Sequence, residues 1–219
     1  MPNPTEMQTE PVVPLSTLSA EPLPILLPES FTIYLVRHAT PDRTRPDISY
    51  HTPPGPSLND RGLMEAEELG AFLRQAGVLL ILSSPFERAR QTALIAAKQA
   101  GVSLDFDPDL GERQPIEPET TVIERVVRAF QTSVQAAAQN GPLALLSHGS
   151  PILVLLKALG LPVPTLERCR IYDNRNLIAM AGAWRVERLD GSLSMRPVFA
   201  PQGVALPNFP ETIAEKENP

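Results

Sequence analysis

Apolar residues along this chain gather in short unbroken runs, separated by stretches where they recur every three or four positions. Residues 31–36 are such a run, rich in β-branched and aromatic side chains, and predict a buried strand. Over 60–75, Leu63, Ala66, Leu69, Phe72 and Leu73 fall at helical spacing, with Glu65, Glu67, Glu68 and Arg74 on the other face. A second buried strand is predicted over 78–82. A helix follows over 85–100, with Phe86, Ala89, Ala93, Leu94 and Ala97 as its apolar stripe. The helical period returns over 122–138 through Val126, Phe130 and Val134, then come a strand over 143–146 and a helix over 151–159. Residues 177–181 and 183–188 read as late strands, the second turning at Asp190-Gly191. Alternating strands and helices with uninterrupted apolar strands predict a three-layer α/β/α sandwich with a mostly parallel central sheet. In such sheets ligands bind beyond the carboxyl ends of the strands.

Composition divides the chain into three parts. Of the 25 prolines, seven lie in residues 1–29 beside four glutamates and no basic residue, and five lie in 197–219 beside three glutamates and one lysine. The net charge of −6 therefore resides in the ends, since residues 30–196 hold 18 acidic and 18 basic side chains. We expect a proline-rich extended or disordered arm over 1–29, a folded domain over 30–196 and a proline-rich acidic tail over 197–219. The acidic balance argues against nucleic-acid and anionic-membrane partners. One cysteine, Cys169, excludes an intrachain disulfide and a CxxC pair, and only three histidines disfavour a metal site. No secretory pattern or membrane-length apolar run is visible, so a cytoplasmic location is expected.

Three predicted strands end in polar residues with chemical potential. The first ends in Arg37-His38. The second ends in Ser83-Ser84-Pro85-Phe86-Glu87-Arg88, where Ser84 is suited to be an N-cap, Pro85 the first helical residue and Glu87 the partner in a capping box. The third ends in Ser147-His148-Gly149, and Ser150-Pro151 repeats the cap-then-proline order. Singly, each reads as an ordinary strand end or helix start. Together, two arginines and two histidines at one sheet edge make a cationic, hydrogen-bonding pocket suited to a tetrahedral oxyanion such as phosphate.

These segments resemble the histidine phosphatase superfamily, also called phosphoglycerate mutase-like. Tyr34-Leu35-Val36-Arg37-His38-Ala39 is similar to its strand followed by Arg-His-Gly, with alanine for the glycine. Ser83 through Ala93 is similar to its second block almost residue for residue, Ser147-His148-Gly149 to its third, and Leu58-Asn59-Asp60-Arg61-Gly62 to its Leu-Thr-x-x-Gly helix start. The resemblance covers roughly residues 31–188. It implies a phosphohistidine mechanism in which His38 is the nucleophile and Arg37, Arg88 and His148 bind the phosphoryl oxygens. It implies neither metal nor cofactor, because guanidinium groups supply the positive charge. Leu110-Gly111-Glu112-Arg113 matches the family at Glu112, the expected general acid, with Glu117 or Glu119 as substitutes if the loop is shifted.

The resemblance also has departures. Gly149 stands where the acid-phosphatase branch carries its acid, which disfavours that branch. Thr40-Pro41-Asp42 replaces the mutases' Glu-Thr/Ser, and no Trp-Asn pair follows, which weakens a mutase reading. The long loop 41–57, with Arg43, Arg45 and His51, is placed to choose the substrate, although His51 itself reads as a surface residue. Cys169 reads as structural, and Tyr172, Asn174 and Asn176 as turn residues. The expectation is a metal-independent phosphomonoesterase acting on a small phosphorylated metabolite. Its alternatives are a mutase-type phosphotransferase and a catalytically weak phosphate-binding scaffold. Substrate and oligomeric state are not legible.

Overall fold

A computed structural model describes residues 25–209. Its strands are β1 (Phe31–Arg37), β2 (Leu80–Ser83), β3 (Ser103–Phe106), β4 (Leu143–Ser147), β5 (Ala183–Leu189) and β6 (Ser192–Phe199). Its helices are α1 (Asp60–Gln75), α2 (Glu87–Ala100), α3 (Glu119–Asn140), α4 (Gly149–Ala158) and α5 (Val163–Cys169). The strands form one sheet in the order β3-β2-β4-β1-β5-β6. The pairs β1–β4, β2–β4 and β2–β3 are parallel, whereas β5 runs antiparallel to both β1 and β6.

The side-chain period of two makes β1 the divider between two cores. Phe31, Ile33 and Leu35 face one side, where they join Val126, Phe130 and Val134 of α3 and Ile152, Leu155 and Leu156 of α4. Tyr34 and Val36 face the other, with Leu69 and Leu73 of α1 and Ala89, Ala93 and Ala96 of α2. β4 alternates in the same way, Leu143 and Leu145 to the first core and Ala144 and Leu146 to the second. Burial on both faces explains why these strands read as unbroken apolar runs. The result is the expected α/β/α sandwich. Among the described residues no helix is long and apolar enough to cross a membrane.

The structure corrects several local expectations. Leu177, Ile178, Ala179 and Ala181 are buried, but residues 177–181 form no strand. Their backbone is used elsewhere: the Ile178 carbonyl accepts from Arg37 Nη1 at 2.9 Å, and the Ala181 N–H donates to the His38 carbonyl at 3.1 Å. The capping box from Ser84 to Glu87 does not form. Helix α2 begins at Glu87 behind Phe86 with no side-chain cap. The Ser84 hydroxyl is taken by His148, and the Glu87 N–H donates to the Pro54 carbonyl at 2.8 Å. Likewise α4 starts at Gly149 behind His148, so Ser150 is not a cap.

Described residues on either side of 30–196 also pack on the folded body. Ile25 and Leu27 pack on the core, and the Leu27 carbonyl accepts from Arg188 Nη1 at 3.0 Å. β6 runs to Phe199, and Phe209 meets Trp184 edge-on at 5.4 Å. The remainder of the expected arm and tail, 1–24 and 210–219, lies outside the described residues.

One contact ties the helical layer to the end of β1. Asn59 caps α1 by accepting from the Gly62 N–H at 2.9 Å, and the Asn59 N–H donates to the Thr40 carbonyl at 3.2 Å. A Cβ on Gly62 would run into that same carbonyl, which is backbone and cannot rotate aside. Gly62→Ala gains about 1 kcal/mol of helix propensity but overpacks this junction at about 1–3 kcal/mol. Urea unfolding should therefore show no net stabilisation and more often a loss of about 1–2 kcal/mol; a variant clearly more stable than wild type contradicts the close approach.

Candidate active site

The mouth of the sheet is built where β1, β2 and β4 end. The parallel ladder continues one residue beyond β1, since the His38 N–H donates to the Ser147 carbonyl at 3.0 Å. The Ser84 N–H does the same to the Leu146 carbonyl at 2.9 Å. Those backbone bonds fix His38, Ser84 and His148 in position relative to one another. The His38 and His148 rings lie 5.1 Å apart, and neither is exposed beyond 1%.

His38 Nδ1 lies 2.7 Å from the Ala39 carbonyl oxygen, which can only accept. Hence Nδ1 carries the proton and Nε2 presents its lone pair. Nε2 faces the Nε–H of Arg88 at 3.1 Å and the Tyr50 hydroxyl at 3.4 Å. The turn that carries His38 is braced from two helices. Thr92 of α2 accepts from the Ala39 N–H at 3.0 Å. The buried Glu65 of α1 accepts from the Thr40 N–H at 2.8 Å and from its hydroxyl at 2.7 Å.

Arg88 is wholly buried. Besides His38, it donates to the Tyr50 carbonyl at 3.0 Å and to Glu112 Oε2 at 3.3 Å, and its guanidinium lies 4.2 Å from the Tyr50 ring centroid. Arg37 is 4% exposed and fixed by Asp173, which accepts from Nη1 at 2.7 Å and Nη2 at 2.9 Å. Asp173 enters from the loop after α5. There Asn174 and Arg175 adopt left-handed φ values of 49° and 55°, a conformation that side chains other than glycine take at a cost.

His148 Nε2 lies 2.8 Å from Ser84 Oγ. Ser84 Oγ already accepts from the Phe86 N–H at 3.3 Å, so its own hydrogen is available to Nε2 and the His148 proton is left on Nδ1. That Nδ1 is buried without a hydrogen-bond partner, as is Arg37 Nε. Two unpaired buried donors beside a wholly buried guanidinium are what a bound oxyanion would satisfy.

Of the three candidate acids, Glu112 alone lies in this cluster, its Oε2 3.7 Å from His148 Nδ1. Glu117 is paired with Arg125 at 2.7 Å, and that hydrogen bond holds its carboxyl below the usual value. Glu119 meets Arg113 at 3.8 Å on the surface. The open cleft in front of His38 measures about 480 Å³, and its wall includes Arg43, Tyr50, His51, Glu112, Asn174 and Asn176.

Tyr50, Asp173 and Asn176 were not visible as site residues in the sequence. Asn176 is seated against Gly149, where a Cβ would run into its side chain. Cys169, by contrast, is buried away from the cleft, and burial pushes its thiol up to about 11.

A histidine at the end of a buried parallel strand, closed in by two guanidinium groups and a second histidine, defines an α/β/α protein of the phosphoglycerate mutase-like fold. Solved structures that share it include the mycobacterial glucosyl-3-phosphoglycerate phosphatase in complex with VO3, 18% identical, with a TM-score of 0.60, covering 78% of this chain and 98% of that one. The phosphoglycerate mutase of Bacillus anthracis is 16% identical with a TM-score of 0.60, covering 78% and 93%. An uncharacterized protein of Mycobacterium tuberculosis is 29% identical over 86 residues, 39% of this chain, and the match spans 42% of that relative's length. Residues 33–121 match the model of the histidine phosphatase superfamily, branch 1.

Burial, reinforced by Arg88 and Arg37, holds His38 well below the ordinary histidine value of 6.5. Burial, Arg88 and His38 do the same to His148. The unfolded chain protonates both near 6.5 while the folded chain does not. Their contribution to stability is therefore full above pH 6.5 and is lost as pH falls below it, until the folded values are reached. Each histidine should remove on the order of 1 kcal/mol per pH unit in that window. Denaturation at pH 7.5 and 5.5 should show a smaller acid loss in His38→Gln than in wild type; equal losses contradict the assignment of a neutral buried imidazole.

Proposed function

We propose that this protein is a phosphomonoesterase that works through a phosphohistidine on His38 and needs no metal. The observation that carries the reading is the state of His38. Its Nδ1–H is committed to a carbonyl, its Nε2 lone pair faces the cleft, and its neutral form is favoured by burial. In the first step Nε2 attacks phosphorus, the N–P bond forms and the ester P–O bond breaks, the leaving oxygen taking a proton from Glu112. In the second step water attacks phosphorus, its proton passes to the Glu112 carboxylate, the N–P bond breaks and inorganic phosphate leaves. Arg37 Nε, Arg88 and His148 Nδ1 meet the equatorial oxygens, and charge developing there is stabilised by donors already in place. The Ala39 carbonyl, bonded to Nδ1–H, stabilises the positive charge the ring acquires on phosphorylation.

Substrate entry requires an exchange of partners. Arg88 spends its donors on His38, Tyr50 and Glu112, and the Tyr50 hydroxyl stands 3.4 Å from the attacking nitrogen. A phosphoryl group at Nε2 takes over Arg88's Nε–H and displaces that hydroxyl. The loop 41–57 must give way as it enters.

The acid loop departs from the family over 114–119, the feature behind the scaffold alternative. Here that loop is held from beneath, since Arg125 bonds Glu117 and donates to the carbonyls of Asp109 at 2.7 Å and Gly111 at 2.8 Å. The departure therefore leaves Glu112 at the cleft, which supports a hydrolase over a scaffold. The small phosphorylated substrate and a cytoplasmic setting belong to the same proposal.

The test is phosphate release from a panel of phosphomonoesters in the presence of a chelator. Wild type should release phosphate, His38→Ala should lose at least about 10³-fold, and Glu112→Gln about 10²–10⁴-fold. Unchanged turnover in His38→Ala, or loss of wild-type activity on chelation, overturns the reading. Transfer of the phosphoryl group to a second hydroxyl without release would assign the mutase alternative instead.

A further inference from the structure

The nitrogen that would attack phosphorus is already covered. Two donors converge on its lone pair, the Arg88 Nε–H at 3.1 Å and the Tyr50 hydroxyl at 3.4 Å. A reacting atom poised for attack stands about 3–3.5 Å from its nucleophile. The Tyr50 hydroxyl therefore fills the place that phosphorus needs. Tyr50 also holds Arg88, since its carbonyl accepts from Nη1 at 3.0 Å and its ring centroid lies 4.2 Å from the guanidinium.

The loop that carries Tyr50 has its ends tied together and its middle docked. Pro41 bridges to Leu58, and the Asp42 N–H donates to the Ser57 carbonyl at 2.8 Å. A compact loop with joined ends moves as one piece. Residues 50–55 meet the start of α2: the Pro54 carbonyl accepts from the Glu87 N–H at 2.8 Å, and Tyr50 accepts from Arg88. Gly55, at a left-handed φ of 74°, comes so near Arg88 Nη1 that a Cβ would stand 2.8 Å from it. An ionised phosphoryl oxygen is a stronger acceptor for a guanidinium than a carbonyl oxygen. Phosphoryl group and loop thus compete for the same donors and the same space, and a site that is open only part of the time binds more weakly in proportion. We propose that Tyr50 is an internal competitor for the phosphoryl site, and that the loop 41–57 recloses behind the reaction and displaces the phosphate product. The inference rests on the reading that places the phosphoryl group at His38.

The test uses the full-length protein with inorganic phosphate as the probe, read by equilibrium binding and by hydrogen exchange at Glu87. As the first residue of α2, Glu87 has no acceptor for its N–H within the helix. Its bond to Pro54 therefore reports whether the loop is docked. Tyr50→Ala should bind phosphate about tenfold more tightly than wild type, equivalent to about 1.4 kcal/mol. Tyr50→Phe, which keeps the ring and the carbonyl, should gain a smaller factor, and it carries the test alone where Tyr50→Ala does not fold. Phosphate should speed exchange at Glu87 in wild type, whereas in Tyr50→Ala exchange should be fast with or without it. Inhibition of turnover by phosphate should tighten by the same factor as binding.

Binding no tighter in the Tyr50 variants than in wild type overturns the inference. So does slower exchange at Glu87 with phosphate, which would make the loop a cover that closes over its ligand. Either result with wild type still releasing phosphate from esters leaves the hydrolase reading standing. The predicted tightening with no ester turned over by wild type supports the competitor and overturns the hydrolase reading. Phosphate bound by neither wild type nor the Tyr50 variants overturns both.

Discussion

A guanidinium without exposed surface must have its charge and its N–H groups met from inside the protein, and the site is assembled around that requirement at Arg88. One side chain on the first turn of α2 draws together the end of β1 through His38, the long loop through the Tyr50 carbonyl, and the acid loop through Glu112. The three segments have no local reason to meet. Their meeting satisfies a charge that would be costly to leave unpaired, by a few kcal/mol when one partner of such a buried set is removed. The same charge adds to burial in keeping His38 neutral, so the group that organises the cleft also bears on the protonation state of the histidine beside it.

Around this centre the scaffold is redundant where rigidity matters. His38 is held by the extended ladder, by its Nδ1 bond, and through Ala39 and Thr40 by helices on the same face. Tyr50 and Arg43, which line the cleft, sit instead on a loop with little regular structure. A rigid sheet edge with loops around its mouth is the usual division.

What could be read from the sequence follows the range of the interactions concerned. β1, β4, α1, α2 and α3 were legible because burial on two faces or one stripe writes a local period. Arg37, His38, Arg88 and His148 were legible as strand-end residues in compact motifs, and the structure brings them together at one mouth. Residues 177–181 misled because a buried loop and a buried strand have the same apolar content. What separates them is where the backbone bonds go, here to Arg37 and His38. β6 was missed because only Met195 along it is buried, so it writes no run. Tyr50, Asp173 and Asn176 left no signal, because each joins the site from a loop distant in sequence from its partner. Ser84 was seen but given the wrong role, since a cap and a histidine partner draw on the same hydroxyl.

The central claim is that the phosphoryl group passes through His38 Nε2. Rapid mixing of wild type with a phosphomonoester, quenching in base and sequencing of the peptides by mass spectrometry reads it directly. The account predicts an acid-labile phosphoryl group on His38 during turnover, and none in His38→Ala. Full turnover with His38 never phosphorylated, or a phosphoryl group that persists on another residue in His38→Ala, would contradict it.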